Sequence, residues 1–190
     1  LKDRLYTEPK KSLSGRSCRT ALYEILASMT KMLAPVLSFT CEEAWQSLGL
    51  RSSVHLEAWP KSSAKKRDTL LEERWERFLS IREKVLKSLE ERREKKEIGN
   101  SLEAEVELAL SKNADVEFLK SFKEDLPGLL LVSRVSVLLN SDVSTEDLRV
   151  SVTKARGLKC ERCWNYRETV GKDKAYEMLC RRCVAVLKGV

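Results

Sequence analysis

Four cysteines constrain this chain more than any other feature. They stand at positions 160, 163, 180 and 183, as C-x2-C, sixteen intervening residues, C-x2-C. A two-residue gap lets a tight turn aim both sulfurs at one point, so two such turns can enclose a tetrahedral Zn²⁺ with four thiolates. A set of four protein ligands leaves no open coordination position, which makes the expected metal structural rather than hydrolytic. About thirty residues cannot build a self-sufficient core, so metal binding would supply the folding energy of this segment. A redox-active C-x2-C and a four-cysteine iron–sulfur centre remain as alternatives with less support from the paired spacing. A disulfide framework fits poorly, because the opening LKDRLYTEPKK has no apolar signal segment. Cys18 and Cys41 lie far from the cluster and read as small packing residues.

The surroundings of the cluster bear on a partner. The net charge of +7 is uneven: +2 over 1–60, +4 over 61–100, −5 over 101–150 and +6 over 151–190. Four thiolates and Zn²⁺ remove two units, leaving the last forty residues at about +4. Arg162, Arg181 and Arg182 lie between ligands, Arg156, Lys159 and Arg167 flank them, and Trp164 follows Cys163 directly. Arginine beside an exposed aromatic grips phosphate and stacks unpaired bases. The competing readings are that Trp164 packs over the metal and that the arginines offset thiolate charge.

Upstream, the pattern is helical. Leu22, Ile25, Leu26, Met29, Met32 and Leu33 predict a helix over 15–33 that buries them and ends at Pro35. Thr40-Cys41-Glu42-Glu43 reads as a capping box opening a second helix, closed by Gly49. His55, the one histidine, has no evident acid or nucleophile partner and reads as structural or exposed. Leu71, Trp75, Phe78, Ile81, Val85 and Leu89 stripe a long helix over 68–97, stopped by Gly99. The period then falls to two over 102–110. Helical spacing returns over 114–126 and breaks at Pro127-Gly128, and strands follow at 129–139 and 148–154. The expected fold is mainly α with a smaller α+β part: a truncated helical bundle (1–99), a small βαββ junction unit (100–155) and a four-cysteine zinc finger (156–190). No run approaches eighteen apolar residues, which excludes an apolar helical membrane span. At 42% hydrophobic residues the chain can bury a core.

Several stretches resemble one family. KDRLY (Lys2–Tyr6), RTALYEIL (Arg19–Leu26), MLAPVLSFTCEEAW (Met32–Trp45) and SVHLEAWP (Ser53–Pro60) are similar to the anticodon-binding helical domain of bacterial-type isoleucyl-tRNA synthetases. IGNSLEAEVEL (Ile98–Leu108) resembles that family's junction. KCERCWNY (Lys159–Tyr166) and LCRRCV (Leu179–Val184) resemble its C-terminal zinc finger. The helical motifs alone would suit other class I synthetases for branched aliphatic amino acids, and the terminal cysteine motif selects isoleucine. The resemblance implies Cys160, Cys163, Cys180 and Cys183 as ligands of one structural Zn²⁺. It further implies the tRNA for isoleucine as partner and a cytoplasmic, monomeric setting. The family's ATP-dependent catalytic motifs, of His-Ile-Gly-His and Lys-Met-Ser-Lys-Ser type, do not occur here. A fragment is therefore expected, whose catalytic domain would stand in the same parent chain, and no catalytic residue is assigned. Two other functions compete. One is the DNA-binding C-terminus of a repair glycosylase, whose terminal finger has similar spacing. The other is a zinc ribbon that binds protein.

Overall fold

The computed structural model describes residues 2–122, 124–140 and 148–189. The chain divides into two compact units, Leu1–Asp68 and Thr69–Val190.

The first unit holds helices α1 (Lys2–Tyr6), α2 (Leu13–Leu33) and α3 (Ser38–Ser47), followed by 3-10 turns at Val54–Leu56 and Ala64–Lys66. Ser12 caps α2 by accepting from the Gly15 N–H at 3.0 Å. A small core of Ala34, Cys41, Trp45 and Val54 joins α3 to the turn after it. Two expectations need correction. The stripe on α2 is not buried, for Ile25, Leu26, Met29, Met32 and Leu33 are all at least 40% exposed. Periodicity reports which face of a helix is apolar, not whether anything covers it. Nor is Thr40 a helix cap. The chain resumes helical geometry at Ser38, where the Cys41 N–H donates to the Leu37 carbonyl, so the amides that a cap would serve already have partners. The Glu42 carboxylate instead accepts from the Ser53 hydroxyl and the Val54 N–H, each at 2.9 Å. Gly49 follows the end of α3 with φ +80, as a glycine stop requires. His55 is exposed in the turn.

The second unit opens with α4 (Thr69–Glu94), which buries Phe78, Val85 and Leu89 and packs Trp75 and Ile81 at the core margin. Its end is not set by Gly99. Lys96 adopts φ 57, the Lys96 N–H donates to the Arg93 carbonyl, and the Glu97 N–H donates to the Arg92 carbonyl. That is a Schellman stop with a lysine in the position that favours glycine. Part of the basic face of α4 is occupied in packing. Arg74 and Arg77 stack over Phe122 and Phe118, Arg77 pairs with Asp115, and Arg82 donates to the Leu129 carbonyl.

Strand β1 (Ala104–Leu110) is central in a three-stranded sheet ordered β2-β1-β3. It pairs in parallel with β2 (Arg134–Leu139) and antiparallel with β3 (Leu148–Lys154). Between β1 and β2 run α5 (Asn113–Lys120) and α6 (Leu126–Leu130). Residues 129–130 therefore belong to a helix rather than to the expected strand. Pro127 starts that helix instead of breaking one, because a first-turn N–H has no intrahelical acceptor to lose. Val106, Leu108 and Leu110 bury one face of β1 against α4, α5 and α6. After β3 comes the cysteine segment: β4 (Leu158–Lys159), β5 (Tyr166–Arg167) and α7 (Arg181–Lys188).

Ser133 ties this segment to the sheet. Wholly buried, its hydroxyl donates to the Leu102 carbonyl at 2.5 Å and accepts from the Tyr166 N–H at 2.7 Å. The observed fold is helices followed by a small mixed sheet and a four-cysteine finger.

Candidate metal centre

The first cysteine pair sits in a hairpin. β4 pairs antiparallel with β5, matching Leu158 with Arg167 and Lys159 with Tyr166. Gly157 makes the close approach possible. It has φ +93, and a Cβ there would lie 2.5 Å from the Glu168 nitrogen and nearer still to the Arg167 carbonyl. Past β4, the chain turns so tightly that the Trp164 N–H donates to the Cys160 carbonyl at 2.8 Å and the Cys160 N–H to the Asn165 carbonyl at 3.0 Å. Trp164 carries φ 64 to close this turn. The Asn165 amide donates to the Cys163 carbonyl at 3.3 Å.

The second pair sits at a helix start. Cys180 is the N-cap of α7, and Cys183 lies in its first turn. The positive end of the helix therefore faces the sulfurs, which favours thiolates. The Cys180 N–H also donates to Cys160 Sγ at 3.3 Å.

All four cysteines are buried free thiols, with Sγ atoms within 4.8 Å of one another. Cys163 and Cys180 sulfurs are 3.8 Å apart, far too distant for a disulfide. Four sulfurs bound at about 2.3 Å around a tetrahedral centre would be about 3.8 Å apart, so the donor set fits Zn²⁺ in kind and spacing. In the bare thiol cluster, hydrogen bonds from Cys180 and then Cys183 hold Cys163 well below the usual thiol range. Hydrogen bonding with Cys163 and, after it, burial push Cys180 and Cys183 up. Four thiolates held this close repel one another, and a dication is what allows them together. These residues hold one structural zinc ion, and bound zinc contributes on the order of 10–16 kcal/mol to folding a small site of this type.

The expected contact residues divide by position. Trp164 is 49% exposed, so it is not a core residue over the metal, and Lys159 Nζ lies 5.6 Å from its ring centroid. Arg162 is half-buried and hydrogen-bonds to Cys183, so it offsets sulfur charge. Arg156 and Arg181 are exposed. Arg167 and Arg182 line one cavity together with Arg134 of β2. Arg134, twenty-six residues before the first ligand, carries no local sequence signal, and its place follows only from the parallel pairing of β2 with β1.

Two families match. Residues 1–108 match the anticodon-binding domain of tRNA ligase, and residues 157–186 match the zinc finger found in FPG and IleRS. The chain is 46% identical to the isoleucine–tRNA ligase of Syntrophotalea carbinolica, over 98% of this chain and 21% of that protein. It is 41% identical to that of Moorella thermoacetica, over 99% and 22%, and 40% identical to that of Thermotoga maritima, over 100% and 21%. It thus spans about a fifth of the length of these relatives. With more than half of its residues matching that first family, the chain belongs to the anticodon-binding domains of tRNA ligases.

Proposed function

We propose that this chain is the tRNA-binding C-terminal region of an isoleucine–tRNA ligase. It holds the anticodon arm of the isoleucine tRNA while a catalytic domain in the same parent chain joins isoleucine to that tRNA using ATP. The observation that carries this reading is the half-exposed Trp164 ring, held beside Lys159 by a zinc-pinned turn, downstream of an anticodon-binding match. An exposed ring with a cation held over it suits contact with an unpaired loop base and its phosphate. Arg156, Lys159, Arg162, Arg167, Arg181 and Arg182 would supply the positive field around it. Zinc itself would contribute folding and orientation, and no chemical step. The setting we propose is a cytoplasmic monomer. Among the described residues, no helix is long and apolar enough to cross a membrane.

The glycosylase reading shares only the finger, and the match over residues 1–108 speaks against it. A filter-binding comparison of the zinc-loaded chain tests the proposal. The isoleucine tRNA should bind more tightly than a non-cognate tRNA and an abasic duplex. Trp164→Ala should weaken that binding at least about tenfold, the worth of one stacked base, with zinc content unchanged. Equal affinity for the three nucleic acids, or an unaffected Trp164→Ala, would remove the reading.

A further inference from the structure

We propose that the seam between sheet and finger is a binding site for one backbone phosphate of the RNA, built by Arg134, Arg167 and Arg182. The proposal rests on the tRNA-binding reading and adds to it a residue from outside the finger. An open cavity of about 330 Å³ lies there, lined by Arg134, Arg167, Glu168, Thr169, Cys180 and Arg182. Its arginines come from two substructures, β2 of the sheet and the zinc segment, which Ser133 fixes to each other.

Two of the three guanidiniums have donors to spare. Arg167 is half-buried and forms no ion pair among the described residues. Among the described residues Arg134 has two loose ones, 3.7 Å to Glu105 and 3.5 Å to Glu168, both longer than a charge-assisted hydrogen bond. Each guanidinium carries five N–H donors in a planar fork, the shape that takes a phosphate by two parallel bonds. Thr169 adds a hydroxyl. Its oxygen accepts from the Arg181 N–H at 3.3 Å, which leaves its proton for another acceptor.

Three groups oppose an anion here: Glu168, Glu105 and the zinc–thiolate group, whose Cys180 lines the cavity. Glu168 is exposed and sits against Arg134, so an incoming phosphate would displace it. Glu105 flanks Arg134 from the neighbouring strand. The zinc–thiolate group carries a formal −2, which is partly offset by the Arg162 side chain at Cys183 and the Cys180 N–H at Cys160. A phosphodiester and a free phosphate ion share this chemistry. The anticodon-binding match upstream favours RNA backbone.

The test uses the zinc-loaded chain and a transcript of the isoleucine tRNA, with affinity measured from about 50 to 200 mM salt. Arg134→Gln should weaken binding about tenfold, the worth of a charged hydrogen-bonding contact. It should also make the salt dependence shallower by about one unit of slope. Arg134→Lys should restore the slope. Glu168→Gln should tighten binding severalfold, because it removes the competing carboxylate. A purely structural Arg134–Glu168 pair would not move the two variants in opposite directions. Several outcomes would overturn the site. Unchanged affinity and slope in Arg134→Gln, with parent binding intact, would remove it and leave the tRNA reading standing. So would weaker binding at unchanged slope. Inorganic phosphate shifting the Arg134 and Arg167 side-chain resonances while Arg134→Gln still binds RNA normally would reassign the cavity to a small free anion. A parent chain that binds no tRNA would remove both readings.

Discussion

Replacing Gly157 by alanine separates two costs that usually arrive together. At φ +93 an added Cβ strains the backbone by about 1–2 kcal/mol. It would also overlap the carbonyl carbon and oxygen of Arg167 and the nitrogen of Glu168, which are backbone atoms that β5 and its pairing hold in place. Overpacking against atoms that cannot swing aside adds about 1–3 kcal/mol. The sum, about 3 kcal/mol, falls on a segment whose folding is coupled to metal, so it should appear as zinc affinity weakened about 150-fold. Gly171 supplies the control in the same finger. Its φ is +84, but its added Cβ would meet only the Glu177 carbonyl oxygen, at 3.9 Å. Gly171→Ala should carry the conformational cost alone and lose about tenfold. Competition titrations against a chromophoric chelator would measure both. If Gly157→Ala fell within about threefold of Gly171→Ala, the close approach of the hairpin strands would not be what holds Gly157.

Three further outcomes follow from the geometry. Lys96→Gly should stabilise the chain by about 1 kcal/mol in urea unfolding, because a lysine now occupies a left-handed helix stop. Ser133→Ala should leave the Tyr166 N–H unsatisfied at a cost of about 1–3 kcal/mol, seen as faster exchange of that amide with zinc content retained. The Val54 N–H and then the Ser53 hydroxyl hold Glu42 below the 4.5 of a free glutamate. Its contribution is therefore present above the unfolded pKa and lost as pH falls through the lower folded one. The Val54 amide shift should titrate with a midpoint under 4.5, and Glu42→Gln should abolish that transition.

Local features of the molecule were legible in the sequence, and non-local ones were not. The cysteine pairs declare their turns through spacing alone, and the α4 stripe declares its buried face because Phe78, Val85 and Leu89 meet a sheet in the same unit. The stripe on α2 has the same periodicity and stays exposed, since a pattern carries no information about its partner. Thr40 to Glu43 has the letters of a capping box, but the chain had already turned helical at Ser38. Pro127 has the letters of a break yet begins α6, because its missing N–H is harmless there. Arg134 reaches the finger through a parallel pairing that closes across two helices, and no short window of sequence contains that fact.

Trp164 sets what stability asks of that position against what the residue provides. At φ 64 a glycine would relieve the backbone, and a tryptophan that leaves half its surface in water returns little of the burial its size could offer. Folding alone would not choose this side chain. The finger carries its ring as a standing expense, and strain of that kind gathers where a surface has a partner to meet.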